Sequence, residues 1–318
     1  MGILVTNYSF DGQTDIYRGE VRDVYTVGEN IISVATDRLT VFGHHFNQGI
    51  PHKGQVINEV TNFFADKTSD IVPNWIITSP DPNVSIGKKC QRFELNMVIR
   101  GALLGHAWRI YEAGAREICG VKLANELEEY DLLDEPIITP TTKSPNGYEE
   151  DISGADLVAR GIVSENEFER LSIISRQLYI RGKQIAREQG LLLADTRYEF
   201  GKIDDEIYLI DEIHTPDSSR YFYIDQYEAY LRNRQDELPR QLCTEYIRKW
   251  LLSNGFSGLE GQTAPNLDES VRQELSGRYV ELFEQLTGHE MLRPDPSVKE
   301  EDRIKENIEV SLSQLSRA

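Results

Sequence analysis

Basic residues are in short supply in this chain: 34 lysines and arginines against 53 aspartates and glutamates leave a formal net charge of −19. That deficit excludes general nucleic-acid binding, which needs a cationic face to displace counterions. It leaves room for a small anionic ligand, because a local arginine cluster can override the global field. Cysteine is scarce too. Cys90, Cys119 and Cys243 are odd in number, widely spaced and without a metal-ligand pattern, so buried or inert thiols in a reducing cytosol are the plain reading. No apolar run approaches the roughly 18 residues of a membrane helix. The N-terminus lacks a basic segment followed by an apolar one, and there are no internal repeats. The expectation is a soluble cytoplasmic protein with no nucleic-acid or membrane partner. At 318 residues the chain can form one large domain or two lobes around a substantial core.

Local patterning changes once along the chain. Residues 16 to 42 alternate as strands do, with a turn at Gly28-Glu29-Asn30, and 86 to 100 read as strands again. Residues 55 to 68 have a helical pattern. Leu103, Leu104, Ala107 and Ile110 then recur at helical spacing, and 134 to 153 read as a polar, proline-containing loop. Helices are expected over 154–160, 164–189, 225–234, 238–254 and 268–287. In the tail after Asp295, Ile304, Ile308, Leu312 and Leu315 fall on one stripe, and a frayed, solvated helix is the expectation there. His44-His45 lack a third ligand at useful spacing, so a loop or strand pair is expected rather than a metal site. Trp75, Trp108 and Trp250 read as packing residues.

The richest stretch is Asp195-Thr-Arg-Tyr-Glu-Phe-Gly201 followed by Leu209-Ile-Asp-Glu-Ile-His-Thr-Pro-Asp-Ser-Ser-Arg220. It reads as a strand, a polar turn at Lys202 to Glu206, and a returning strand. Glu199 and Asp211 then flank the turn, with Arg197 and Arg220 close by. Two carboxylates side by side on paired strands repel, and a divalent cation between them relieves the repulsion. A cation so held beside arginines is equipment for handling phosphates. A surface hairpin with ordinary charge pairs is the alternative.

Further segments join this one: Gly19-Glu-Val-Arg-Asp-Val-Tyr25, Asp37-Arg38, Lys53-Gly54, Arg100-Gly101, Gly105 and Ile138-Thr-Pro-Thr-Thr-Lys143. In number, order and spacing they resemble SAICAR synthetase (phosphoribosylaminoimidazole-succinocarboxamide synthetase), from roughly residue 15 to residue 292. The resemblance implies an α+β, two-lobed fold. A β-rich ATP-binding lobe would span 1–98 and a larger α/β lobe with the metal and ribotide site 99–292, leaving 293–318 as a charged helical tail. It implies an ATP-dependent ligase that turns a ribotide carboxylate into an acyl phosphate for attack by an amine, aspartate in the family. Glu199 and Asp211 would hold Mg²⁺ bridging the ATP phosphates. Gly19, Arg22 and Lys53 would meet the nucleotide. Arg100, Ser219 and Arg220 would grip the ribotide 5′-phosphate, where a planar fork suits phosphate. Lys143 and Arg197 would act at the transferring phosphoryl group or at the amine donor's carboxylates. The partners implied are a phosphorylated ribotide and an amino-acid-like amine, and a homo-oligomer of unspecified size fits the resemblance.

Several positions depart from the family pattern. Glu20 stands where a lysine is usual, Gly43 where an aspartate is, Asn96 where a glutamate is, and Tyr148 where a histidine is. His106 and His214 match ordinary variation. In the family, the carboxylates at positions 43 and 96 lie beside the base, so their absence predicts an altered base pocket. An amine left there without acceptors costs about 1–3 kcal/mol. The sequence therefore suggests a paralogue acting on a related ribotide in nucleoside natural-product biosynthesis, of coformycin/pentostatin or C-nucleoside type. The alternatives are an ordinary SAICAR synthetase joining carboxyaminoimidazole ribotide (CAIR) and L-aspartate in purine biosynthesis, or an inactive nucleotide-binding relative.

Overall fold

Short β-branched runs separated by glycine turns build the first part of the molecule. A computed structural model describes residues 2–143 and 149–317. Strands β1 (Gln13–Arg18), β2 (Arg22–Val27) and β3 (Asn30–Ala35) form a meander, and Gly28 (φ 58°) supplies the left-handed residue of its second turn. A tiny hairpin, β4 (Thr40–Val41) and β5 (His44–His45), precedes helix α1 (Lys53–Lys67). Strands β6 (Ile76–Asp81) and β7 (Val84–Lys88) complete a five-stranded antiparallel sheet in the order β1-β2-β3-β7-β6.

The second sheet begins with the long strand β8 (Gln91–Ala102). After it come α2 (Gly105–Glu112), the two-residue strands β9 (Glu117–Ile118) and β10 (Val121–Lys122), then β11 (Leu132–Ile138), β12 (Thr141–Lys143) and β13 (Glu149–Asp151). Helices α3 (Gly154–Ala159) and α4 (Glu165–Glu188) lead to β14 (Leu191–Ile203), β15 (Glu206–Ile210) and β16 (Ser219–Tyr223). Helices α5 (Ile224–Arg232), α6 (Glu245–Ser253), α7 (Glu269–Thr287) and α8 (Glu300–Leu315) finish the chain. β8 and β14 pair at the centre of this seven-stranded sheet. β11 and β12 flank β8, and β15 and β16 flank β14. Met97, Ile99 and Leu193 share one core with Leu171 and Leu178 of α4 and Leu275 and Leu282 of α7.

Three expectations need correction. Residues 134–153 are not a loop: β11, β12 and β13 occupy most of the described part, because β8 offers β11 and β12 a ladder, and β12 offers one to β13, that no local pattern reveals. The helix expected from residue 238 starts only at Glu245, since Gln241 bridges to Phe222 at the sheet edge. The tail is not solvated. Ile304 and Ile308 of α8 are fully buried and share a core with Ile32, Val34, Val84 and Ile86 of the five-stranded sheet. At the same contact Arg303 Nη1 (3.0 Å) and Asn307 Nδ2 (2.8 Å) donate to Oδ2 of buried Asp81. Elsewhere α4 opens at the predicted place: Ser164 Oγ accepts from Glu167 N–H, and the Glu167 carboxylate accepts from Ser164 N–H. Among the described residues no helix is long and apolar enough to cross a membrane.

Candidate active site

Strand alternation assembles the site. On β14, Asp195, Arg197 and Glu199 point to the face opposite the core, and on β8 their partners are Arg100, Val98 and Asn96. The antiparallel register therefore sets Asp195 abreast of Arg100 and Glu199 abreast of Asn96. On its other side Asp195 pairs with Arg220 of β16. Arg220 Nη1 donates to Asp195 Oδ2 and Nη2 to Glu245 Oε2 at 3.2 Å. Arg100 Nη1 lies 3.7 Å from the same Asp195 oxygen, while its Nε donates to Thr139 Oγ1 at 2.8 Å. Burial works against the Arg220 charge, but Asp195 and Glu245 raise its pKa, so it stays a cation. Gly105 is required beside this pair. Its φ is 55°, and a Cβ there would stand 2.5 Å from Arg220 Nη2. Ser219 is buried next to Arg220, its Oγ 2.8 Å from Thr196 Oγ1.

The other end of the strand carries the acidic pair. Glu199 pairs with Ile210, and Asp211 follows directly in a left-handed conformation (φ 60°), its carbonyl accepting from Trp75 Nε1 at 3.2 Å. Burial lifts the Asp211 carboxyl above its ordinary pKa; the Arg22 charge pulls it down and the Glu199 charge adds to the lift. Arg22 reaches over from β2 and forks between Asp211 Oδ1 (2.7 Å) and Glu212 Oε2 (2.9 Å). Arg92 Nη2 holds Glu199 Oε2 at 2.8 Å. Among the described residues, no group of three or more histidine, cysteine or acidic side chains forms a ready-made metal cage. Two carboxylates with the remaining ligands from phosphate and water are the usual magnesium arrangement.

Between these ends, Arg197 Nη1 donates to Glu149 Oε1 at 3.1 Å, and Asn96 Nδ2 donates to the same oxygen at 3.0 Å. A carboxylate thus stands beside position 96 even though residue 96 is not itself acidic. Gly43 sits in the exposed β4–β5 turn, where Phe42 (φ 55°) and Gly43 (φ 72°) both adopt left-handed backbone. That geometry favours glycine over aspartate on conformational grounds alone. Glu20 is exposed, so it imposes no buried charge. The Gly19 carbonyl accepts from Arg38 Nη2 at 2.8 Å, which ties the loop before β2. Lys53 opens α1, is 1 % exposed, and its Nζ lies 2.6 Å from Asp217 Oδ2. Lys143 ends β12 and is described only through its backbone, which pairs with Glu149; Tyr148 lies outside the described residues.

Sequence reasoning missed Asp195 as the pivot of two arginines, Glu212 as the second anchor of Arg22, and Arg92, Glu149 and Arg248. Asp195 and Glu212 had a signal, since both lie inside the quoted motifs. Arg248, on α6, lies over the Phe42 ring at 5.1 Å. Burial lowers its pKa, Glu245 opposes that, and Arg220 and Arg109 add to it, which places all of them in one charged neighbourhood.

Comparison with known proteins fits this geometry. A family model described as SAICAR synthetase matches residues 15–262. The phosphoribosylaminoimidazole-succinocarboxamide synthase of Cytophaga hutchinsonii is 51% identical over 303 residues, 95% of this chain and 97% of that protein. The enzyme of the same name from Bacteroides thetaiotaomicron is 47% identical over 305 residues, 95% and 96% of the two chains. The solved SAICAR synthase of Saccharomyces cerevisiae complexed with SAICAR superposes with a TM-score of 0.74 at 27% identity, over 91% of this chain and 99% of that one. The molecule is an ATP-dependent ligase with an α+β fold. It belongs to the SAICAR synthetase family.

Proposed function

We propose that this enzyme joins CAIR to L-aspartate at the expense of ATP, in a cytoplasmic setting. The observation that carries the reading is the two-ended site on β14. Asp195, with Arg100 and Arg220 beside it, and Glu199, with Asp211 beside it, lie four residues apart on one strand, roughly 13 Å. A ribotide has a phosphate at one end and a heterocyclic carboxylate at the other, and it would lie along that strand. Arg100, Ser219 and Arg220 take the 5′-phosphate. Glu199 and Asp211 would hold Mg²⁺, which, when bound, neutralises phosphate charge. Arg22, forked onto Asp211 and Glu212, would bring its charge to the phosphate oxygens from the small sheet; Arg197, and by family resemblance Lys143, would act at the transferring phosphoryl group or at the aspartate carboxylates.

A carboxylate is a poor acyl donor because its charge repels nucleophiles and oxide does not leave. Transfer of the γ-phosphoryl group from ATP to a carboxylate oxygen releases ADP and gives an acyl phosphate. The aspartate amine attacks the carbonyl carbon, the C–O bond to phosphate breaks, and the nitrogen loses a proton to leave an amide. The enzyme's part is to hold several anions together and exclude water.

The paralogue reading rested on Gly43 and Asn96, and both have local accounts: the tight turn at Gly43, and Glu149 beside Asn96. Relatives 46–51% identical over nearly the full chain carry the name of the ordinary synthase, and none of these comparisons supports a nucleoside-antibiotic role. Purified protein given CAIR, L-aspartate and ATP should form the succinocarboxamide, ADP and phosphate at roughly 1–10³ s⁻¹. The Gly43→Asp/Asn96→Glu double variant should gain nothing. Wild-type inactivity with activity restored in that variant would instead assign the enzyme to another ribotide.

A further inference from the structure

Among the described residues, Lys53 is the one buried lysine; the proposed chemistry leaves its charge without a task, and its surroundings suggest one. Its Nζ lies 2.6 Å from Asp217 Oδ2, and Asp217 Oδ1 accepts the Tyr279 hydroxyl from α7. Asp217 belongs to the loop that runs from Glu212 to Arg220. That loop is stitched internally: Thr215 Oγ1 donates to Glu212 Oε2 at 2.9 Å and accepts from the amides of Asp217 and Ser218 at 3.2 Å. The Ser218 carbonyl accepts from Arg197 N–H at 3.0 Å. One end of the loop, at Glu212, anchors Arg22; the other delivers Ser219 and Arg220. Lys53 and Tyr279 hold its middle, from α1 and α7.

We infer that Lys53 is a positioning residue: through Asp217 it fixes the Thr215–Arg220 loop, and so sets Ser219 and Arg220 for the substrate's 5′-phosphate. An ammonium 1 % exposed and already matched to a carboxylate is poorly placed to greet an incoming nucleotide. Its loss leaves Asp217 without its cation beside Glu212, in the middle of a loop that must stay in register.

This inference rests on the proposed ribotide chemistry, and the test separates the two. CAIR binding is measured by calorimetry without ATP, and KM for CAIR, KM for ATP and kcat are measured for wild type, Lys53→Met, Asp217→Asn and the double variant. Lys53→Met should raise the CAIR KM and Kd about tenfold or more, while the ATP KM stays within about twofold. Adding Asp217→Asn should recover most of the loss, because the carboxylate left unpaired is then neutral. Tyr279→Phe, which removes one hydroxyl, should shift the CAIR KM in the same direction by about threefold. It serves as the gentler variant should Lys53→Met fail to fold. A rise in the ATP KM with CAIR binding unchanged, or a double variant as impaired as Lys53→Met, overturns the inference and makes Lys53 a ligand contact. Wild-type protein that neither binds nor turns over CAIR overturns the functional reading itself.

Discussion

Arg22 and Glu212, 190 residues apart in the chain, meet at 2.9 Å between the two sheets. Arg22 also holds Asp211 at 2.7 Å, so one guanidinium compensates two consecutive acidic side chains. Burial raises the pKa of both, and Arg22 opposes it.

Replacing Arg22 by alanine should therefore cost stability as well as rate. The buried Glu212 and the half-buried Asp211 lose their cation, which destabilises by about 3 kcal/mol, and turnover should fall by about 10²-fold or more. Arg22→Lys should recover only part of either, because an ammonium cannot fork between two acids. Thermal unfolding and ADP release check both statements.

Glu199→Gln and Asp211→Asn should each move the magnesium dependence of turnover to higher concentration and lower kcat by about 10²-fold, while CAIR binding in the absence of ATP is retained. Chelation should abolish turnover in wild type, and magnesium should restore it.

How much of this was legible beforehand depends on range. Glu199 and Asp211 could be paired from the sequence because the turn between their strands is two residues long, with Ile203 opposite Glu206. The antiparallel register then follows locally. Arg100 beside Asp195 could not be read that way, since β8 and β14 meet across almost a hundred residues and no local pattern sets their offset. The same holds for Glu149 beside Asn96, which turns an apparent loss of charge into a relocation. The stripe of α8 was plain, but a stripe does not name the surface that covers it. Here the surface was the outer face of the five-stranded sheet, with Asp81 as the polar anchor.

Gly105→Ala should act on the phosphate grip without touching the acidic pair. The added methyl carbon meets Arg220 Nη2 at 2.5 Å, and the backbone is left-handed. A stability loss of about 1 kcal/mol is expected, with a raised CAIR KM and an ATP KM close to wild type, measured by steady-state kinetics.

Acid sensitivity should have an identifiable source. His214 is buried between Phe64 and Tyr198, and burial lowers its pKa to about 3. The folded state therefore resists a proton that the unfolded chain accepts near pH 6.5. The cost is absent above that pH and grows as pH falls, by about 1.4 kcal/mol per unit, until the folded pKa is reached. The stability difference between wild type and His214→Gln, followed by urea unfolding from pH 8 to 5, should shift in favour of the variant by about 2 kcal/mol.

Arg303→Met should destabilise the small sheet by about 3 kcal/mol, because Asp81 is wholly buried and Arg303 is its cation. The paired variant Arg303→Met/Asp81→Asn should lose much less. Calorimetric unfolding of both tests the coupling.

The position of α8 also orders events during synthesis. The strands of the five-stranded sheet are translated well before α8, yet the apolar face of Ile32, Val34, Val84 and Ile86 is covered by Ile304 and Ile308. That face cannot close until residues 300–315 have left the ribosome. Domains ordinarily fold in the order they are made; here these strands must wait, with apolar surface open, for α8. An apolar face made well ahead of the helix that covers it is thus open to holding chaperones during translation.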